Sequence, residues 1–335
     1  MLGPPASWAC VRRVSVPLAA ALLLAACGGG ENGDPGGAEP PAAEAGALDT
    51  SLGAGSAGEP TVPDWVRSRL TERAGEDVAV LFATADHAVG RNRIGFVVVR
   101  PDNSLVQASR AQVLVAREGS SEAVEVAAAL VPLGPHSHSG GSEPHDHLDV
   151  TDVYVAYADF PSPGTYWVVV EPDGEAIQGV GSVEVAEAPA APAVGSKAIP
   201  SDNPTLAEAP AEEITTARPP DVELLRYSIR DSLAEGAPFV AVFATPKFCQ
   251  SRACGPTVEV VDEVRQRFAD SPIRFIHVEI FEGNDPQNGV NRWVEEWNLP
   301  TEPWVFIVDG RGIIRERFEG IVSVDELDAA VRNLL

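Results

Sequence analysis

Two long tracts of this 335-residue chain have the composition of connecting segments, and they fix where the folded units lie. Residues 28–58 are built from Gly, Ala, Pro and Glu with almost no aromatic or β-branched side chains. Residues 186–220 repeat that chemistry around Pro189, Pro192, Pro200, Pro204, Pro210, Pro219 and Pro220. The first buries too little apolar surface to offset the entropy of ordering. The first reads as a flexible tether, the second as a semi-extended linker with room to wrap partly onto a domain. The chain divides accordingly into an N-terminal segment (1–26), the tether (27–59), a first folded unit (60–186), the linker (187–220) and a second folded unit (221–335).

The N-terminal segment reads as an export signal. Arg12 and Arg13 precede an apolar stretch, Val14 to Ala26, that ends in small residues. A membrane-spanning helix needs about 20 apolar residues, more than this stretch offers. Leu24-Ala25-Ala26-Cys27 resembles the lipobox of bacterial lipoproteins, in which cleavage precedes a cysteine that then carries lipid. The resemblance implies lipidation of Cys27 and a location on the extracytoplasmic face of the bacterial cell membrane. The alternative is an ordinary secretory signal that happens to contain Cys27. The whole chain carries a net charge of −25, and cleavage removes two arginines and no acid. A surface this acidic argues against nucleic acid and against anionic lipid as direct partners.

Between residues 60 and 186 the pattern is of short β-rich runs bounded by turn residues: 77–83, 93–99, 111–116, 122–130, 152–158, 164–170 and 179–185. Several alternate apolar with small or polar residues, as half-buried strands do. Seven strands in this length predict an all-β immunoglobulin-like sandwich, with a spacer or binding role.

The second unit predicts helix 221–235, strand 239–243, helix 256–268, strand 273–280, helix 289–297, strand 304–308, a hairpin turn at Asp309-Gly310-Arg311-Gly312, strand 313–319 and a last helix. Ser323 caps that helix, with Glu326 completing a capping box. Cys10 and Cys27 belong to the export segment, so Cys249 and Cys254 are the one pair left to the mature soluble part. They follow an apolar strand and precede an amphipathic helix, a placement that favours redox or metal chemistry over a stapled scaffold.

The α-β-α-β-α-β-β-α order, Phe248-Cys249 and Pro303-Trp304-Val305-Phe306-Ile307-Val308-Asp309 together resemble the membrane-anchored thioredoxin-like thiol-disulfide oxidoreductases of the bacterial envelope, over residues 221–335. The resemblance implies an α/β thioredoxin-like domain, with Cys249 and Cys254 as exchanging thiols and Pro303 as a cis proline facing them. Pro300-Thr301 is a competing match for the proline. The family's motif has two residues between its cysteines, whereas here there are four, Gln250 to Ala253. In a regular helix positions i and i+5 are too far apart for a disulfide, so a bonding pair requires Cys249 in a turn before the helix. Gly255-Pro256 suits a helix start there. In one register Cys249 attacks. In the other, Cys254-Gly255-Pro256-Thr257 mimics the family motif and Cys254 attacks. Lys247 and Arg252 would lower thiol pKa values and Glu302 would raise them. An inert stabilising disulfide is the alternative.

Four of six histidines, His136, His138, His145 and His147, crowd around a Gly-Gly turn. Imidazoles in that pattern suit zinc or copper, and a solvated hairpin tip is the other reading. Thioether copper chemistry is excluded, since Met1 is the sole methionine. His87 and His277 read as structural.

The expected activity is thiol-disulfide exchange by a lipid-anchored protein, with no required cofactor. Its expected partners are extracytoplasmic cysteine-containing proteins or a membrane thiol donor. The rivals are a copper or other metal-binding or delivery protein, using the Cys pair or the histidine loop, and a redox-silent scaffold lipoprotein. Thioredoxin-like copper-assembly proteins pair their cysteines with a later histidine, but none follows His277.

Overall fold

The computed structural model describes residues 62–72, 75–132, 150, 152–249 and 253–335. Cys27 and the histidines at 136, 138, 145 and 147 lie outside the described residues, as do Gln250, Ser251 and Arg252. No helix among the described residues is long and apolar enough to cross a membrane.

The β-rich runs form strands where their alternation places them. After a short helix, α1 (Asp64–Glu72), come β1 (Glu76–Phe82), β2 (His87–Ala88), β3 (Gly90–Val99), β4 (Arg110–Arg117), β5 (Val124–Pro132), β6 (Asp152–Phe160), β7 (Gly164–Pro172) and β8 (Ile177–Ala186). They do not make a sandwich. The order β1-β3-β6-β5-β4-β7-β8 closes on itself, because β8 pairs in parallel with β1 from Glu76↔Ile177 to Ala79↔Val180. The result is a seven-stranded mixed barrel, with β2 extending the far end of β8.

Glycine makes that closure possible. A Cβ on Gly179 would lie 2.2 Å from Val80 Cγ2, and one on Gly181 2.7 Å from the Phe82 ring. Closure leaves no free edges, the usual hazard of antiparallel sheets. Ile94, Phe96, Val98, Val113, Tyr154, Phe160, Val168 and Val170 fill the interior.

The remainder is built on a second, smaller sheet: β9 (Phe239–Phe243), β10 (Arg274–Val278), β11 (Trp304–Val308) and β12 (Ile314–Glu319), ordered β10-β9-β11-β12. β10 and β9 are parallel, while β11 runs antiparallel to β9 and to β12. Its helices are few and mostly brief: α2 (Ala211–Ile214), α3 (Ile229–Ala234), α4 (Cys254–Arg267), α5 (Arg292–Glu296) and α6 (Val324–Arg332). The expected α/β thioredoxin-like domain behind an immunoglobulin-like sandwich is thus corrected to a closed mixed barrel beside a small four-stranded sheet with few helices.

The helical shortfall has local causes. The chain holds two start signals where one long helix was expected: Asp221 accepts from Glu223 N and Ser228 accepts from Asp231 N. The first yields only a 3₁₀ turn, Val222–Leu225, and the second six residues of helix ended near Gly236 at φ 66°. Likewise Gly289 takes φ 83°, and Asn291 caps a five-residue helix that starts three residues late. The capping box of Ser323 and Glu326 forms as read.

The proline-rich 187–220 segment lies against this sheet. Gly195 N and Ala198 N donate to Ile314 O and Gly312 O at 2.8 and 2.9 Å, and Ala191 and Ala198 are buried with Phe239 and Phe306. Its chain therefore covers the exposed flank of β12.

Candidate functional site

The wholly buried strand β9 delivers the chain to a tight turn. Past Ala244, the amides of Phe248 and Cys249 both donate to Thr245 O, at 3.3 and 3.1 Å. This turn holds Cys249 ahead of α4, as a bonding pair requires. Helix α4 begins at Cys254 itself, two residues before Pro256, and its N-cap Ala253 offers no side-chain acceptor. The Cys249 sulfur fills that role: Cys254 N donates to Cys249 Sγ at 3.3 Å. A fourteen-residue helix thus points its positive end at this sulfur, an arrangement that stabilises negative charge there.

The two cysteines are thiols with different surroundings. Cys249 is half-buried and Cys254 is fully buried. The Cys254 thiol is pushed well above the usual range, first by its hydrogen bond with Cys249, then by burial and by the charges of Cys249 and Glu302. The Thr245 backbone amide opposes this rise. The half-buried Cys249, with the helix-terminal amide on its sulfur, is the better placed of the two to carry negative charge. That favours the register in which Cys249 attacks.

Glu302 completes the site from two residues before β11. Its carboxylate oxygen and the two sulfurs all lie within 4.8 Å of one another. Burial raises its pKa to about 8, with the charges of Cys249 and Glu279 adding to the effect. Oε2 is buried with no hydrogen-bond partner, and so are the hydroxyls of Thr245 and Thr257. Pro303 is buried, its bond to Glu302 is cis, and its carbonyl accepts from Gly320 N at 2.8 Å.

Neighbouring groups hold the 301–304 segment. Thr301 Oγ1 donates to Glu319 Oε1 at 2.7 Å and accepts from Trp304 Nε1 at 3.2 Å. The other oxygen of Glu319 accepts the amides of Ala85 and Asp86 from the barrel, both at 2.9 Å.

The barrel also borders the cysteine turn. Ala253 and Ile321 are buried in one cluster with Val97, Val99, Val153 and Val155 of β3 and β6, and Val131 and Val150 pack against it. Those last two residues flank the segment that carries the four clustered histidines. Of the other sequence candidates, Lys247 Nζ stacks over the Phe248 ring at 4.8 Å, and Phe248 meets Phe281 edge-on at 6.3 Å. His277 is buried, with Nε2 2.9 Å from Ala244 O. His87 is buried in the barrel, 3.1 Å from Thr84 Oγ1.

Sequence reasoning named Glu302 only as a modifier of the thiols and missed Glu319 and the barrel wall. One signal was present: Ile94 to Val99 is an unbroken apolar run, now buried on both faces, which is what a strand covered from outside looks like.

No family model and no curated protein matches the chain. Among solved structures, a thioredoxin-family thiol:disulfide interchange protein from Chlorobium tepidum TLS aligns at 14% identity and a TM-score of 0.26, covering 42% of this chain and 99% of its own. A Bacillus anthracis protein named "Putative Lipoprotein" aligns at 10% and 0.21, covering 37% and 97%. Superpositions this loose bear neither on the fold nor on the activity.

Proposed function

We propose that this chain carries out thiol-disulfide exchange through Cys249 and Cys254, on the extracytoplasmic side of a membrane to which lipid on Cys27 tethers it. One observation supports the chemistry above all: a half-buried sulfur held by a helix-terminal amide, with a fully buried thiol and a carboxylate within 4.8 Å.

The Cys249 thiolate attacks one sulfur of a partner's disulfide. A Cys249–partner bond forms, the partner's S–S bond breaks, and its other sulfur leaves as a thiolate. The mixed disulfide removes the Cys249 charge, one of the causes that keep Glu302 protonated, and the ionised Glu302 carboxylate then takes the Cys254 proton as Cys254 attacks Cys249. The intramolecular disulfide forms and the partner leaves as a dithiol. Two electrons pass to the partner, and the reverse sequence oxidises one. Pro303, joined to Glu302 by the cis bond, aligns the partner's backbone. The partners are cysteine-containing extracytoplasmic proteins or a membrane thiol donor.

Thiol trapping across defined glutathione ratios tests the reading. A single two-electron transition involving both cysteines is expected, with Cys254→Ser accumulating a mixed disulfide on Cys249. Two thiols that titrate independently, or a pair inert to every ratio in the folded protein, would overturn it.

A further inference from the structure

We propose that the reduced pair and Glu302 together form a zinc(II) site, with Cys249 Sγ, Cys254 Sγ and one Glu302 carboxylate oxygen as its three protein ligands. The three donors come from separate places in the chain: the turn after β9, the first residue of α4 and the residue before Pro303. Among the described residues this is the one cluster of three such donors whose ligand atoms approach so closely. Zinc binds sulfur at about 2.3 Å and carboxylate oxygen at about 2.1 Å in a tetrahedral shell, which sets donors roughly 3.5–3.8 Å apart. Atoms already within 4.8 Å reach that spacing by small side-chain rotations.

A second, independent observation is the state of the carboxylate. Three buried acids have donors: Glu171 takes Arg69, Glu279 takes the amide and hydroxyl of Thr216, and Glu319 takes two barrel amides and Thr301. Asp221 Oδ2 has no donor either, but it lies beside Asp262 and not beside a sulfur. Glu302 Oε2 is buried and has none. A buried carboxylate oxygen without a donor is costly, and a cation between it and two sulfurs removes that cost.

The donor set selects the ion. Two thiolates alone would suit copper(I) as well as zinc, but a carboxylate is a hard ligand that copper(I) binds poorly. Three protein ligands leave a fourth tetrahedral position, on the half-buried Cys249 side, for water or a partner's donor group. Binding moves no electrons: zinc replaces the thiol protons and the proton of the Glu302 carboxyl, which pass to the buffer. The oxidised pair has no thiolates to offer, so zinc and the disulfide exclude each other. The site does not rest on exchange, since a pair that never cycles could hold zinc equally well.

The test titrates zinc into the full reduced chain under anaerobic conditions against a chromophoric chelator, with far-UV circular dichroism as a folding check. One zinc per chain is expected. Cys249→Ser or Cys254→Ser should weaken it by about 100-fold or more and Glu302→Gln by about 10–100-fold. Replacing His136, His138, His145 and His147 together with alanine should leave it unchanged, and prior oxidation should abolish it. Cobalt(II) loading supplies a second readout, because sulfur-to-metal charge-transfer bands weaken in each serine variant only if that sulfur is a ligand. Zinc affinity indifferent to Cys249→Ser or to Glu302→Gln, or lost with the four histidines, overturns the site. Glutathione titration of the metal-free protein is scored separately, so exchange and zinc binding can fail one without the other.

Discussion

The barrel and the cysteine end of the small sheet both bury carboxylates, yet they treat them in opposite ways. In the barrel Glu171 is almost fully buried and receives a two-pronged bond from Arg69, at 2.6 and 2.9 Å. Where the barrel meets the small sheet, Arg317 donates to Asp86 at 2.9 Å and Arg93 to both oxygens of Glu326. Beside the cysteines, Glu302 Oε2, Thr245 Oγ1 and Thr257 Oγ1 are buried with their bonding capacity unused. Paired charges fix a scaffold, and an unanswered one is free to exchange a proton or take a cation. The barrel holds position while the end of β9 and α4 keeps its chemistry available.

The sharpest way to break this contrast is pH. Glu302 has its folded pKa raised to about 8, from an ordinary value near 4.5. Between those values the unfolded chain gives up its proton first. Stability from the neutral carboxyl is therefore full below about pH 4.5 and is lost as pH rises through 8. Allowing for partial solvent access, the loss amounts to about 3 kcal/mol by pH 9. Glu302→Gln in the reduced protein should be near neutral at pH 5 and stabilising at pH 9, as read from urea midpoints. Equal effects at both pH values would mean the carboxylate is already matched and the contrast is false.

The barrel's counterpart is His87, which titrates on the other side. Burial lowers its pKa to about 4, with Arg317 adding to the effect and Asp86 opposing it. Here the unfolded chain binds a proton first on acidification. Stability is full above about pH 6.5 and is lost as pH falls through 4, by about 2 kcal/mol. His87→Phe should flatten that acid limb and leave thiol exchange per folded molecule unchanged. Loss of exchange in a folded His87→Phe protein would show that the barrel belongs to the chemistry.

Much of this is legible in the amino-acid sequence, and what is not has physical reasons. The seven strands announce themselves because alternation is local: β4 reads off residues 110–117 alone. Closure is not local, since it depends on β8 glycines meeting Val80 and Phe82 about a hundred residues away in sequence. The short helices were legible in principle, because Asp221 and Ser228 are both capping residues, but helical apolar spacing obscured the interruption. At the site, the Gly255-Pro256 start and the five-residue separation already required Cys249 to precede the helix. The unanswered Glu302 could not be read, because a sequence shows a carboxylate but not the lack of donors around it.

The smallest expected effect tests closure itself and uses two glycines that differ in what they face. Alanine at Gly179 would press its Cβ to 2.2 Å from Val80 Cγ2, whereas at Gly181 the obstacle is the edge of the Phe82 ring, 2.7 Å away. Val80 is β-branched and has one stiff side-chain torsion, so it yields only if the strand moves. The half-buried Phe82 ring can swing aside. Overpacking of this kind costs about 1–3 kcal/mol, so Gly179→Ala should approach 2 and Gly181→Ala should stay near 1. Thermal melts of both variants check the order. If the barrel is a scaffold, neither change alters the glutathione potential of Cys249 and Cys254. A shifted potential in Gly179→Ala would mean that strain at the β1–β8 seam reaches the cysteine turn, through the wall of β3 and β6 against Ala253. The two regions would then be one mechanical unit rather than a support and a reacting end.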